Sequence, residues 1–186
     1  LKTALSDLEV DQREIAGRTM LPAHGHDSKK TYPFGMMWSF AYRLDTDRDD
    51  EANLEIVIST TRPETVFADT AVAVNPNDAR YTAFHGRRVL HPITGASIPV
   101  IVDAVADPEF GTGALKISPA HDPTDFVVGQ RHGLPFVSVM DEDNRMNDRC
   151  PEAYRGLPRY EARLAVIEEA KARGVFRGER DHPMSL

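Results

Sequence analysis

The chain has 186 residues, 41% of them hydrophobic and 27% charged, which fits one soluble domain with an appended arm. No apolar run approaches the ~20 residues that span a membrane. Cys150 is the only cysteine, so an internal disulfide and a Cys-based zinc site are excluded, and this cysteine content suits a reducing cytoplasm. The net charge of −7 argues against nucleic-acid binding by a basic surface, so any such contact must be local or depend on other domains.

The first 30 residues are predicted to form an entry arm, and residues 31–186 to form the domain proper. Residues 1–30 are polar and interrupted by glycine and proline, although DLEV (7–10) could pair as a short strand. The chain begins without an initiator methionine, so we expect it to be a segment of a longer protein.

Short strands dominate the first part of this domain. MMWSFAYRL (36–44) alternates aromatic residues, and LEIVISTT (54–61) is rich in β-branched residues, with a charged loop between them at 45–53. NDARYTAF (77–84) is predicted to be a short helix capped by Asn77. The other predicted strands are 71–74, 88–92, 97–102 and 110–118.

Two helices are predicted in the second part. The segment 122–133 has Asp122 as its N-cap, Pro123 at its first position, Asp125 at its third and Gly133 after its last turn. The other predicted elements are a strand at 135–140, a helix at 158–174 with its stop at Gly174, and an edge strand at 175–179. Because strands and helices do not alternate regularly, we predict an α+β fold with a barrel-like mixed β-sheet core and short helices around it.

Two polar clusters interrupt these apolar segments. TTRPET follows a strand, so Thr60, Thr61, Arg62 and Thr65 are displayed at a strand terminus. The second cluster runs from Phe110 to Asp125. In that cluster two glycines allow close backbone approach, Lys116 and Ser118 share one face of a strand, and His121, Asp122 and Asp125 surround the exposed N–H groups of a helix start.

Each of these residues also has a plain structural interpretation. Asp122 and Asp125 are explained equally well as a helix cap and its capping-box partner. Arg62 and Lys116 are of a type that usually lies at the surface, and His121 could simply position a turn. The sequence contains no P-loop, GxSxG or HExxH signature, and no metal site is predicted.

Taken together, the segments resemble a known family. TTRPET (60–65), FADTAVAVNPNDARY (67–81), GTGALKISPAHDPTD (111–125) and FVVGQRHGLP (126–135) are similar to the editing domain inserted into class I aminoacyl-tRNA synthetases of the valyl, isoleucyl and leucyl group. The resemblance covers residues 31–178 and the entry LKTALSDLEV. RPET and PAHD are most similar to the valyl enzymes, although Ser118 stands where threonine is common.

This resemblance implies hydrolysis of threonine wrongly attached to tRNA(Val), since the isosteric threonine is poorly rejected by a valine pocket, as is established for the valyl enzymes. It implies that Asp125 anchors the substrate amino group and belongs, with Lys116 and Asp122, to the catalytic set. The implied substrate-binding residues are Thr60, Thr61, Arg62, Thr65, Phe110, Ser118 and His121.

The resemblance also implies the partners of the domain. They are the 3′ end of tRNA(Val) carrying threonine and the remaining domains of a parent synthetase, with no membrane, and the isolated domain is expected to be a monomer. Editing is expected to need no cofactor, whereas the parent would use ATP and Mg²⁺ elsewhere.

Several alternatives remain open at this point. The domain could belong to an isoleucyl or leucyl enzyme. It could be a metal-dependent phosphohydrolase with Asp122 and Asp125 as Mg²⁺ ligands. It could also be a non-catalytic tRNA-binding module that uses the aromatic residues of 36–44 as a platform. The residues do not identify a general base, and catalysis is expected to depend mainly on orientation, with help from a terminal ribose hydroxyl of the tRNA.

Overall fold

A computed structural model describes residues 12–186 of the chain, so the strand predicted at 7–10 lies outside the described residues. The strands are β1 (Glu14–Ile15), β2 (Thr19–Leu21), β3 (Tyr32–Phe34), β4 (Met36–Leu44), β5 (Glu55–Thr60), β6 (Ala71–Val74), β7 (Arg88–Leu90), β8 (Ser97–Val102), β9 (Ala114–Ile117), β10 (Phe176–Asp181) and β11 (Met184–Ser185). The α-helices are α1 (Pro123–His132) and α2 (Arg159–Ala172), and four short 3-10 helices span Asp49–Glu51, Pro63–Ala68, Ala79–Phe84 and Glu152–Tyr154.

Seven of these strands form one mixed sheet. Its order is β10-β4-β7-β8-β6-β9, and β5 pairs with β4 off this path. The pair β6 and β8 is parallel, whereas β4 is antiparallel to each of its neighbours. The sheet curls nearly into a barrel with few short helices around it, which confirms the predicted α+β fold with a barrel-like core.

The centre of the core is β4. Trp38, Phe40 and Tyr42 are each no more than 2% exposed, and they pack with residues of β5, β6 and α2 in the largest hydrophobic cluster. Buried rings cannot stack on nucleotides, so the alternative of an aromatic platform at 36–44 is ruled out and the alternation reports packing.

Helix α2 covers one side of this core through its small and branched residues. Ala162, Val166, Ile167 and Ala170 are buried, whereas Leu164 is 37% exposed. The helix ends at Ala172, and the predicted stop signal Gly174 follows its cap with a φ of 66°, which glycine adopts most readily. Neither helix among residues 12–186 is long and apolar enough to cross a membrane.

Two predicted elements differ in type from the structure, whereas others differ only in their bounds. Segment 135–140 is not a strand: Met140 forms only an isolated bridge with Met146, and the pairing does not extend, because Val139 N donates to the side chain of His121 at 3.0 Å and Ser138 O accepts from the side chain of Asn147 at 2.8 Å. The predicted helix at 77–84 is a 3-10 helix whose cap is Asp78, not Asn77, since the Asp78 side chain accepts the Arg80 N–H.

The residues before position 31 contact the rest of the fold. Strand β1 pairs with β11 near the C-terminus, and β2 pairs with β3. Gly35 has a φ of 69°, and a Cβ at this position would collide with the carbonyl oxygen of Gly17. The boundary between an arm and a domain at residue 30 stays a prediction.

Candidate active site

The polar residues of both predicted clusters line a pocket of about 410 Å³ beside the end of β5, β9 and the start of α1. All ten residues that the sequence analysis singled out line it: Thr60, Thr61, Arg62, Thr65, Phe110, Lys116, Ser118, His121, Asp122 and Asp125. Six residues that were not predicted line it too: Met37, Ser59, Val105, Leu115, Thr124 and His182. The two segments thus meet in space, although the roles of their residues stay predictions.

The first segment forms a tight turn at the end of β5. Thr60 Oγ1 accepts from Arg62 N at 3.0 Å, and Thr65 Oγ1 donates to Arg62 O at 3.0 Å. Pro63 starts the 3-10 helix that follows, where its fixed φ suits a first helical position. These bonds hold the Arg62 backbone and leave its side chain free to reach across the pocket.

Arg62 joins the two segments. Its Nη1 donates to the carbonyl oxygen of His121 at 2.8 Å, whereas its Nε is buried without a hydrogen-bond partner. Burial, and then the nearby charge of Arg159, lower the pKa of Arg62 from its ordinary value. A buried donor without a partner is costly, so the Arg62 guanidinium is suited to an acceptor supplied by a ligand.

Glu64, in the same segment, points away from the pocket. Its carboxylate is fully buried and accepts from Arg159 Nε at 2.7 Å and from Arg163 Nε at 2.8 Å. Burial opposes ionisation of Glu64, but the two guanidinium groups outweigh it and lower its pKa to about 2. The segment is therefore anchored to α2 by an ion cluster on one side while its hydroxyls face the pocket on the other.

In the second segment, Lys116 and Ser118 converge on a buried carboxylate. Lys116 Nζ donates to Asp69 Oδ1 at 3.0 Å and to Ser118 Oγ at 2.5 Å, and Ser118 Oγ donates to Asp69 Oδ1 at 2.6 Å. Tyr42 donates to the other oxygen, Asp69 Oδ2, at 2.6 Å. The predicted placement of Lys116 and Ser118 on one strand face is confirmed, and Asp69 gives that face its common partner.

Helix α1 begins at the pocket, as predicted. Asp122 Oδ1 accepts from Thr124 N at 2.8 Å and from Asp125 N at 3.1 Å, which is the geometry of an N-cap. The predicted capping box is only half formed, because Asp125 Oδ2 accepts instead from Ser118 N at 2.8 Å. Burial is the main cause that raises the pKa of Asp125, so this carboxylate is held where a cationic group would stabilise its charge.

His121 lies in the pocket in a form that disfavours base catalysis. Its Nε2 accepts the Val139 N–H, so the ring is a neutral tautomer that carries its proton on Nδ1. Burial first, and then the positive charges of Arg62 and Lys116, lower the pKa of His121 to about 4. His121 can bind or position a substrate, but its basic nitrogen is already in use.

The wall of the pocket also contains aromatic side chains. Phe110 is 50% exposed, and its ring lies edge-on to that of His182 with centroids 6.1 Å apart. The predicted strand at 110–118 is shorter, since residues up to Gly113 form turns and β9 begins at Ala114. An exposed aromatic ring in this position offers a flat surface for a planar or apolar part of a ligand.

Asp69 and two of the unpredicted pocket-lining residues, Met37 and His182, bring polar or bulky groups to this site. Asp69 was included in FADTAVAVNPNDARY but given no role, because its partner Lys116 is 47 residues away in the sequence. Met37 and His182 arrive from β4 and from the segment after β10, and nothing in their local sequence indicates this pocket. Among residues 12–186 there is no group of three or more His, Cys, Asp or Glu side chains that could hold a metal ion.

Comparisons with known proteins find similarity to aminoacyl-tRNA synthetases. The family model described as leucyl-tRNA synthetase, editing domain, matches residues 77–158. A valine--tRNA ligase from Mus musculus is 48% identical over 184 residues, which are 99% of this chain and 14% of that protein. The human valine--tRNA ligase is 47% identical over the same shares of both chains, and that of Schizosaccharomyces pombe is 46% identical over 100% of this chain and 18% of its own.

The chain therefore spans less than a fifth of the length of these relatives. Among solved structures, the ternary complex of Agrobacterium radiobacter K84 agnB2 LeuRS with tRNA and LeuAMS matches with a TM-score of 0.56 and 19% identity, over 82% of this chain and 20% of that one. At this identity the likeness concerns the fold alone.

Proposed function

This chain belongs to the valyl-tRNA synthetase family, as its editing domain, and from that premise we propose that it hydrolyses threonine from wrongly charged tRNA(Val). The observation that carries the proposal is the meeting of Asp125 with the Lys116 and Ser118 pair in one pocket. The Asp125 carboxylate, which can bind the amino group of an amino acid, then lies in the same pocket as Lys116 and Ser118, which can hydrogen-bond to a side-chain hydroxyl. Threonine carries both groups, and valine carries only the first.

The reaction is the hydrolysis of an ester. A water oxygen bonds to the carbonyl carbon of the threonyl group, and the bond from that carbon to the terminal ribose oxygen breaks. One water proton passes to the ribose oxygen, so the products are threonine and tRNA with a free terminal hydroxyl. The rate of such a step depends on holding the water in line and on donors for the oxyanion.

Asp125 is suited to hold the amino group of the substrate. One of its oxygens is fixed by Ser118 N at 2.8 Å, so the carboxylate has a defined orientation at the first turn of α1. An ammonium group beside this half-buried carboxylate would offset the cost of its burial. A charge-assisted bond of this kind contributes roughly 1.5–3 kcal/mol.

Selection of threonine follows from the cost of unpaired polar groups. Lys116 and Ser118 are held in one orientation inside the pocket. The threonine hydroxyl would hydrogen-bond to them, whereas the matching methyl group of valine would leave them buried without that partner. We place Asp122, Arg62 and Phe110 in or near the same pocket, and Thr60 and Thr65 towards the terminal adenosine.

Neither His121 nor Asp122 is poised as a strong base. The basic nitrogen of His121 is taken by Val139 N, and Asp122 Oδ1 is taken by the helix start. We therefore propose that orientation of the water, together with a terminal ribose hydroxyl, supplies most of the rate. No cofactor is needed for this step, and ATP and Mg²⁺ belong to the ligation reaction of the longer protein.

The proposed partners are the 3′ end of tRNA(Val) and the remaining domains of the synthetase. The net charge of −7 favours a short local contact with RNA, so we propose that affinity for tRNA comes from surfaces outside this chain. We propose a cytoplasmic location, although the relatives include a mitochondrial valine--tRNA ligase from Sus scrofa, 45% identical over this chain. We also propose that the isolated domain is a monomer.

The test is a deacylation assay with tRNA(Val) charged separately with threonine, valine and isoleucine, run on the full-length protein and on this chain. We expect rapid loss of threonine alone, with no change when EDTA is added. Preference for the isoleucine ester would favour a leucyl-type domain, and loss of activity on chelation would favour the metal-dependent alternative. Survival of all three esters with the full-length protein would overturn the proposed function.

A further inference from the structure

We propose that Asp69 is a positioning residue that orients Lys116 and Ser118 so that together they present one donor and one acceptor to a substrate hydroxyl. The inference deepens the proposed function and rests on it. Asp69 does not line the pocket, and its side chain has no exposed surface. It would act on selectivity only through the two residues that it holds.

The direction of each hydrogen bond around Asp69 follows from the number of donors and acceptors that each side chain offers. An ionised carboxylate only accepts hydrogen bonds, so the hydroxyl protons of Tyr42 and Ser118 both point at it. Burial, and then the charge of Asp69, raise the pKa of Tyr42 well above its ordinary value, which favours the protonated hydroxyl that donates to Asp69. Both oxygens of Asp69 are thereby occupied and the carboxylate cannot rotate freely.

These bonds fix the direction in which the Ser118 hydroxyl donates, so towards a ligand it can only accept a hydrogen bond. Its single proton is committed to Asp69, and one lone pair accepts from Lys116. A serine oxygen has two lone pairs, so one acceptor site is left. Because Ser118 lines the pocket while being almost fully buried, a ligand can reach that site only from the pocket.

The consequence for Lys116 is complementary. An ammonium group has three N–H donors, of which one goes to Asp69 and one to Ser118. The third donor is available at the pocket wall, where 12% of the Lys116 side chain is exposed. One donor and one acceptor side by side match a hydroxyl group, which can accept from Lys116 and donate to Ser118. A methyl group matches neither site.

Asp69→Asn tests this arrangement in the full-length protein, because asparagine keeps the shape and removes the charge and one acceptor. We expect kcat/KM for the threonine ester of tRNA(Val) to fall about 10- to 100-fold, the range for lost bonds to charged groups. We expect little change in hydrolysis of the valine ester, so the ratio between the two substrates should collapse. Tyr42→Phe removes only the outer hydrogen bond and should change that ratio in the same direction by a few fold.

Glu161→Gln is the matched control. Glu161 accepts from a tyrosine hydroxyl, that of Tyr32 at 2.6 Å, and from a lysine, Lys30 Nζ at 2.9 Å, but it does not line the pocket. This variant should keep the substrate ratio of the parent. A double-mutant cycle of Asp69→Asn with Ser118→Ala should be strongly non-additive if Asp69 acts through Ser118.

The outcomes separate the two proposals. A parent protein that does not hydrolyse the threonine ester overturns the proposed function, whatever Asp69 does. With an active parent, an unchanged substrate ratio in Asp69→Asn would overturn the positioning role. So would an equal loss on both esters accompanied by a lower Tm, or additive effects in the cycle.

Discussion

Arg163 donates two parallel hydrogen bonds to the buried carboxylate of Glu64, Nε to Oε2 at 2.8 Å and Nη2 to Oε1 at 2.9 Å. The guanidinium group also lies over the ring of Tyr160, with its central carbon 4.7 Å from the ring centroid. This pair connects the motif that faces the pocket to α2, and the stability of the turn depends on it.

Glu64→Gln should lower the free energy of unfolding by about 3–5 kcal/mol, because it leaves the Arg163 charge buried without its counter-charge. Chemical denaturation measures this difference. Glu55→Gln is the comparison variant: Glu55 pairs with Arg177 near the surface, and its loss should cost no more than about 1 kcal/mol. Similar losses in both variants would contradict the anchoring role of Glu64.

The same carboxylate predicts an acid limit of stability. The pKa of Glu64 is lowered from 4.5 to about 2, so its stabilising contribution is complete above pH 4.5 and is lost as the pH falls towards 2. Thermal unfolding at a series of pH values should show a steep decline in that window. In Glu64→Gln the decline over the window should be shallower, and an unchanged slope would assign the acid limit to other groups.

Asp125→Asn should reduce kcat/KM for the threonine ester by at least about 100-fold, since a neutral amide cannot balance the substrate ammonium. In the parent protein, kcat/KM should fall on the acid side as Asp125 becomes protonated. Because burial raises the pKa of Asp125, that fall should lie above the ordinary aspartate value of 3.8. Initial rates of deacylation, measured for the parent and the variant at several pH values, give both effects. Full activity of Asp125→Asn would refute the role of Asp125 in binding the substrate amino group.

Asp122 can be tested separately for its two roles. Asparagine caps helices as well as aspartate does, so Asp122→Asn should keep the unfolding free energy within about 0.5 kcal/mol of the parent, whereas Asp122→Ala should cost about 1 kcal/mol. If the charge of Asp122 serves the reaction, Asp122→Asn should still lose about tenfold in kcat/KM. Parent-like kinetics in this variant would leave Asp122 with the structural role alone.

The sequence was informative where local rules and tertiary structure agree. The start of α1 shows this, because Asp122, Pro123 and Gly133 are local signals, and the structure uses each of them as predicted. The strand Met36–Leu44 was predicted from its aromatic alternation for the same reason. The pattern predicts the strand, and the burial of Trp38, Phe40 and Tyr42 in the structure shows that the rings pack in the core.

Other features depend on partners that are remote in sequence. Segment 135–140 has a strand-like composition, but its backbone bonds go to His121 and Asn147, so no ladder forms. Asp69 and Glu64 are buried acids, and their importance is visible only when Lys116, Arg159 and Arg163 are known to be adjacent. Ion partners separated by 47 or more residues leave no local pattern.

The pairing of Glu14 with Ser185 has a consequence for how such a domain can be carried by another protein. Paired residues on adjacent antiparallel strands lie only about 5 Å apart, and the chain enters and leaves there in opposite directions. A segment whose two ends lie this close together can be inserted as a unit into another protein. Spliced into a surface loop of an unrelated host, residues 14–185 would require the host to spread that loop by about one strand spacing.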